Sequence, residues 1–198
     1  MFNFKRFTTL KIVLNLIFII SLAILIAYMV DTTEGKDQYG RPLPPKIGKY
    51  RVPFLTADAV VLRKSEKAFP DILMITRGDE PFTGSLAFPG GHIDYNEDPE
   101  VGVLRELEEE CNIKGTKVEL LTVRGAPDRD PRRHTVSIVY LVEVPSDAEP
   151  KAGDDAATAK FYPLNEIWKK RATLAFDHGK IIETVVDHLK VKDAIEKD

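Results

Sequence analysis

Between Ile12 and Val30 the chain runs for 19 residues without a charge, and that run divides everything else. A helix needs about 20 predominantly apolar residues to cross a bilayer, and it satisfies its own backbone hydrogen bonds in lipid. Asn15 and Ser21 are the only strongly polar members of the run. Lys5, Arg6 and Lys11 precede it, and Tyr28 stands near its far end, where an amphipathic ring suits the interface. A cleaved signal peptide is the rival reading, but its apolar core spans about 7–15 residues and ends in a small-x-small site. Here the core is longer and ends in Ala27-Tyr28-Met29, and cutting after Ser21-Leu22-Ala23 would leave a hydrophobic stub. The expectation is a basic tail over residues 1–11 and an uncleaved single-pass membrane helix over 12–30.

Residues 31–51 read as a tether. They hold Gly35, Gly40, Pro42, Pro44, Pro45 and Gly48 among charges of both signs, with no apolar periodicity. A globular domain is expected over residues 52–198. Across the chain, 43% hydrophobic and 30% charged residues fit a globular protein rather than a disordered one. A net charge of −3 gives no basic footprint for nucleic acid. The single cysteine, Cys111, excludes an intrachain disulfide.

Inside the domain, β-rich runs at 57–62, 72–75, 118–123 and 135–144 predict strands. Residues 99–111 predict a helix. So do residues 180–189, where Ile181, Ile182, Val185, Val186 and Leu189 form one apolar stripe. Strands and helices in this interleaved order predict a layered α/β domain.

The chemistry concentrates on the first helix. Asp98 suits its N-cap, and Pro99 suits the first helical position. Glu106, Glu109 and Glu110 follow at i, i+3 and i+4, so their carboxylates share a face, while Leu104, Leu107 and Cys111 seat a neighbouring face on a core. Like charges at this spacing destabilise a helix by a few tenths of a kcal/mol each. A solvated acidic face is the plain interpretation. A site for a hard cation is the sharper one, because Mg²⁺ takes oxygen ligands and needs few of them from protein. The paired glycines Gly90 and Gly91 favour the second, since glycine lets backbone approach a ligand closely.

The segment resembles the Nudix box, G-x5-E-x7-R-E-U-x-E-E-x-G-U with U aliphatic. Gly91, Glu97, Arg105, Glu106, Leu107, Glu109, Glu110 and Ile113 match at the required spacing. Asn112 stands where the family has glycine, and it is the next best residue for a left-handed helix stop. The resemblance implies a Nudix-type α/β/α sandwich with a mixed sheet, here preceded by one transmembrane helix. It implies a hydrolase dependent on Mg²⁺ (or Mn²⁺) that cleaves the diphosphate of a nucleoside diphosphate linked to another group. Glu106, Glu109 and Glu110 would bind metal, with the Gly91 carbonyl completing the shell. Glu106 or a carboxylate from a later loop would orient or deprotonate the attacking water. Glu97 and Arg105 would orient these groups.

The loop Gly125 to His134, with Leu174 to His178, resembles the ADP-ribose pyrophosphatase branch of the family. Its Arg132 or Arg133 would grip a phosphate or terminal ribose as a fork donor; a rigid turn of paired Asp and Arg side chains is the alternative. Asp155, in the Gly153-Asp154-Asp155 loop, is the candidate carboxylate from outside the box, with a solvated turn as its alternative. His178 and His188 are expected as helix-surface or core histidines rather than catalysts, and Trp168 in packing, with stacking on an adenine as its alternative. ADP-ribose or a relative is the expected substrate. A Nudix enzyme of (damaged) nucleoside triphosphates and a membrane-tethered domain that binds a nucleotide without turnover are the alternatives. The expected partners are a nucleotide-type small molecule and the membrane, with no nucleic acid, and a homodimer is allowed. Lys5, Arg6 and Lys11 against Lys36 and Arg41 mildly favour an exported domain, whereas nucleotide substrates favour a cytosol-like compartment, so the side of the membrane stays open.

Overall fold

Alternating side chains decide the layers of this protein. The computed structural model describes residues 36–37, 40–41, 43, 46–47, 49–65, 68–153, 156–190 and 192–195. Contacts divide the chain into two units, residues 1–52 and 53–198. In the first, strands β1 (Lys46–Ile47) and β2 (Tyr50–Arg51) pair antiparallel. Asp37 also closes a turn there by accepting hydrogen bonds from Arg41 N and Nε at 3.0 and 2.7 Å. The expected membrane span, residues 12–30, lies outside the described residues. Among those described, no helix is long and apolar enough to cross a membrane.

The second unit runs β3 (Phe54–Val60), β4 (Leu62–Arg63), β5 (Asp71–Arg77), β6 (Leu86–Ala87), β7 (Gly90–His92), α1 (Pro99–Cys111), β8 (Lys117–Arg124), β9 (Thr135–Glu143), β10 (Ala156–Pro163), α2 (Leu164–Lys170), a 3-10 turn (Arg171–Thr173), α3 (His178–Leu189) and α4 (Lys192–Ile195). One sheet has the order β7-β3-β9-β8 and is mixed, because β3 and β9 run parallel while the other pairs are antiparallel. The other has the order β10-β5-β4, with β6 also on β5. The β-rich run predicts one strand over 57–62. The structure breaks it at Val61, whose carbonyl accepts from Leu73 N at 3.0 Å, so β3 and β4 enter different sheets.

Successive side chains of a strand point to opposite faces, and the two cores follow from that. Ala57 and Ala59 of β3, Leu73 and Ile75 of β5, and Tyr140 and Val142 of β9 pack with Val103, Leu107 and Cys111 of α1. Ile72 and Met74 of β5 and Val139 of β9 pack instead with Ile167 and Trp168 of α2 and Ile181, Ile182, Val185 and Val186 of α3. The α3 side chains are the predicted stripe, and Trp168 takes its expected packing role. Helix, strands, helices: this is the α/β/α sandwich with a mixed sheet.

Two elements escaped the sequence reading. Strand β10 buries only small residues in part, Ala156 and Ala159, and shows no strong apolar alternation. Helix α2 has seven residues and a proline at its N-cap, too short to display a period.

Candidate active site

Local rules set where α1 starts and stops. Asp98 stands extended before it and accepts from Glu100 N at 2.9 Å, and Pro99 takes the first turn. Asn112 ends it at φ 54° and ψ 35°, in the left-handed region, with its N–H donating to the Glu108 carbonyl at 2.8 Å. The substitution of asparagine for the usual glycine is therefore accommodated at the position that tolerates it.

The three glutamates occupy different environments. Glu110 is only 4% exposed, and its Oε2 accepts from Gly90 N at 2.8 Å. The Glu106 carboxylate lies against Gly91, where a Cβ would come within 2.5 Å of its atoms. That contact is below any real Cβ separation, so glycine at 91 is what admits the carboxylate. Glu109, half exposed, turns towards Arg105.

Arg105 offsets the repulsion on this face. Its Nε and Nη2 donate to the two oxygens of Glu97 at 2.8 and 2.9 Å. Its Nη1 donates to Glu106 Oε1 at 2.8 Å and Glu109 Oε2 at 3.0 Å, and Nη2 also reaches the His92 carbonyl at 2.9 Å. Glu97 accepts in addition from Asp94 N at 2.9 Å. The Arg105 hydrogen bond, then the Asp94 N–H, hold the Glu97 carboxyl down at about 2. The Glu97 hydrogen bond in turn raises the Arg105 pKa. Glu97 and Arg105 thus form one hydrogen-bonded unit with Glu106 and Glu109.

A cavity of about 290 Å³ opens above this face, lined among others by Asp58, Glu106, Glu110, Arg129, Arg132 and His178. Asp58, buried in β3, accepts from Ser137 Oγ. Arg129 Nη2 and His178 Nε2 each stand 3.8 Å from its carboxylate. His178 Nδ1 accepts from Phe88 N at 3.0 Å, so the neutral ring carries its proton on Nε2, facing Asp58. Burial pushes the His178 pKa down against the opposing pull of Asp58, which keeps it neutral. Asp177 bridges Arg124 and Arg129, accepting from each Nε at 2.9 Å. Burial opposes its ionisation, but the two guanidiniums outweigh that and hold its pKa below the ordinary value.

Of the other residues picked from sequence, Arg132 lines the cavity and is tied to Asp130 by Nη2 at 2.8 Å and Nε at 3.1 Å. Arg133 is not in that lining, and its guanidinium lies 4.4 Å over the Phe54 ring. Asp155 lies outside the described residues. His188 is exposed on α3, and His178 is a buried histidine, but one facing the cavity. Asp58, Arg129 and Phe176 line the cavity too and lie outside the set of site residues expected from sequence. For Asp58 the signal was present: an acid inside the apolar run Ala57 to Leu62, at a position that strand alternation turns inward.

The donor set fits a hard divalent cation. Glu106, Glu110 and Asp58 bring carboxylate oxygens to one cavity beside the Gly90–Gly91 backbone. Among the described residues no three acidic, histidine or cysteine side chains converge to enclose an ion by themselves. Mg²⁺ keeps several waters and takes one or two carboxylates plus substrate phosphates, so the carboxylates of this lining are enough for it.

An α/β/α domain with this glutamate face is the Nudix class. The NUDIX domain family model matches residues 53–185, and the chain belongs to that family. Within it the chain is a Nudix pyrophosphohydrolase, a class that generally uses divalent metals such as Mg²⁺. It is 42% identical over 147 residues to the ADP-ribose pyrophosphatase of Methanocaldococcus jannaschii, covering 73% of this chain and 80% of that protein. It is also 26% identical over 145 residues to the ADPR responsive transcriptional repressor NtrR of Acinetobacter baylyi, covering 72% of this chain but only 57% of the repressor. Among solved structures, the NUDIX domain of Shewanella oneidensis NrtR complexed with ADP ribose superposes with a TM-score of 0.64 at 28% identity, covering 73% of this chain and 94% of that one.

Proposed function

We propose that this protein hydrolyses ADP-ribose, or a close relative, to AMP and a sugar phosphate with Mg²⁺ or Mn²⁺. The observation that carries the reading is the 42% identity to an ADP-ribose pyrophosphatase over 80% of that protein, with every glutamate of the box in place. Glu106 and Glu110, which line the cavity, would hold the metal with the Gly91 carbonyl, joined by Glu109, which pairs with Arg105 outside that lining. When bound, the metal neutralises diphosphate oxygens and lowers the pKa of the attacking water towards neutrality. Glu106, which Arg105 and Glu97 hold in place, or a carboxylate from a later loop would orient or deprotonate that water. Asp155 is the candidate second carboxylate for this step. Arg132, with its charge countered by Asp130, lines the same cavity.

The two relatives that respond to or bind ADP-ribose favour a second reading, in which the domain binds the nucleotide without turnover. One experiment separates them. The purified chain is given a nucleotide panel with Mg²⁺, and products are followed by chromatography. AMP from ADP-ribose supports the first reading. Hydrolysis of nucleoside triphosphates with ADP-ribose untouched refutes it, and tight ADP-ribose binding without product supports the second.

The uncharged run of residues 12–30 supports a single-pass N-terminal anchor in the same proposal. Alkaline extraction should leave the chain in the membrane pellet with Met1 to Val30 attached by intact mass. A shortened form in the soluble fraction would overturn the anchor.

A further inference from the structure

Four arginines line the cavity, and in three of them Nη2 is hydrogen-bonded within the protein. Arg105 serves Glu97, Glu106 and Glu109. Arg132 serves Asp130 through Nη2, and Arg77 reaches the carbonyl oxygens of Asp79 and Pro81. Arg129 differs. Its side chain is 4% exposed, its Nε donates to Asp177 at 2.9 Å, and its Nη2 is buried with no hydrogen-bond partner.

Asp58 does not supply that partner. At 3.8 Å its Oδ2 balances charge but lies beyond hydrogen-bond reach, and the same oxygen accepts from Ser137 Oγ. A buried donor of a charged group left without an acceptor is costly, and native structures rarely keep one without a use. The position adds to the argument. Arg129 forms part of the wall of the carboxylate-lined cavity and also of a neighbouring cavity of about 520 Å³, lined by Leu174, Asp177 and Lys180 among others. Phe176 shares that double role, and it holds a left-handed φ of 52°, a strained conformation for a bulky residue.

We propose that Arg129, rather than Arg132 or Arg133, is the residue that grips the substrate's diphosphate, with its terminal guanidinium nitrogens donating to a phosphate oxygen. Asp177 holds Nε and Arg124 holds Asp177, which fixes the planar guanidinium in the cavity wall. A planar fork on an oxyanion is the chemistry guanidinium serves best. The substrate then straddles Arg129, its diphosphate beside Glu106 and Glu110 and one end in the larger cavity. This inference rests on the reading of the protein as a diphosphate hydrolase.

The test uses the full chain with Arg129→Lys and Arg129→Gln, each measured for KM, kcat, melting temperature and inhibition by inorganic pyrophosphate. The substrate is ADP-ribose, or whichever nucleotide the wild type turns over, so failure of the substrate reading is seen in the wild type alone. A grip on the diphosphate predicts a KM raised about tenfold or more in both variants, with kcat changed less. Pyrophosphate inhibition should weaken by a similar factor. Arg129→Lys keeps the charge beside Asp177 and Asp58, so its melting temperature should stay close to wild type even where Arg129→Gln is unstable. An unchanged KM in folded Arg129→Lys overturns the inference. So does a raised KM with unchanged pyrophosphate inhibition, which places the contact on the sugar.

Discussion

Replacing Gly91 by alanine should separate catalysis from stability. The added Cβ would lie 2.5 Å from the Glu106 carboxylate, and ordinary contact requires roughly 1 Å more. The obstructed group is the far end of a flexible side chain, so the fold can yield. Glu106 swings aside, and its 2.8 Å bond from Arg105 Nη1 stretches or breaks. That ion pair is partly exposed, and such pairs contribute about 0–1 kcal/mol. Stability should fall by no more than about 1 kcal/mol. A catalytic carboxylate misplaced by about 1 Å costs on the order of 10²-fold in rate, so kcat should fall about a hundredfold. Gly90→Ala is the contrast. Its Cβ would lie 2.2 Å from the Ala57 carbonyl oxygen, which belongs to the backbone of β3 and cannot step aside without disturbing the sheet. That variant should lose about 2 kcal/mol or more of stability, the range of severe overpacking. Steady-state hydrolysis and urea unfolding measure both quantities. Wild-type kcat in Gly91→Ala, or equal destabilisation of the two variants, would refute the placement of Glu106 against Gly91 as the working arrangement.

Glu110→Gln should keep the fold, because an amide oxygen still accepts from Gly90 N, yet turnover should fall about 10²-fold as the metal loses a charged ligand. The Glu109→Gln/Glu110→Gln double variant should lose at least as much, and wild-type turnover there would sink the metal assignment. Asn112→Gly should leave stability within a few tenths of a kcal/mol, whereas Asn112→Val should cost about 1–2 kcal/mol for a branched residue at positive φ; urea midpoints decide. In acid, Glu97 in the folded protein, held by Arg105 and the Asp94 N–H, titrates at about 2, below its ordinary 4.5. The stability it contributes is therefore present above about pH 4.5 and is lost as pH falls towards 2. Glu97→Gln should flatten that part of the pH–stability curve, and an unchanged acid limb would deny the Glu97–Arg105 coupling.

The sequence made α1 legible because its signals are local: a capping aspartate, a proline, and a residue suited to the left-handed stop all lie within the helix or beside it. The stripe on α3 was legible for the same reason, since its five apolar residues repeat within twelve positions. What the sequence hid is what distance in the chain brings together. Nothing near Val61 announces that its carbonyl will bond Leu73 and pass the chain between sheets. Strand β10 is recognised by its partner β5 rather than by its own residues, because Ala156 and Ala159 fill a narrow space under α1.

The same division governs the site. The box glutamates were found by spacing on one helix, but their unlike environments come from elsewhere. Glu110 is buried because the β7 backbone closes on it, and Glu106 is aimed because Gly91 leaves room and Arg105 holds it. Arg129 could not have been chosen over Arg132 and Arg133 by composition, since all three stand in one loop within five residues. Only the fold shows that Asp130 occupies Arg132, that Arg133 lies over Phe54, and that Asp177, 48 positions further on, holds Arg129 by Nε alone. A helix carries its chemistry in its own spacing, whereas a loop acquires its chemistry from whatever the sheets and α3 set against it. In this family fold the glutamate face is therefore the part a sequence can declare, and the partners of the loop arginines are the part it cannot.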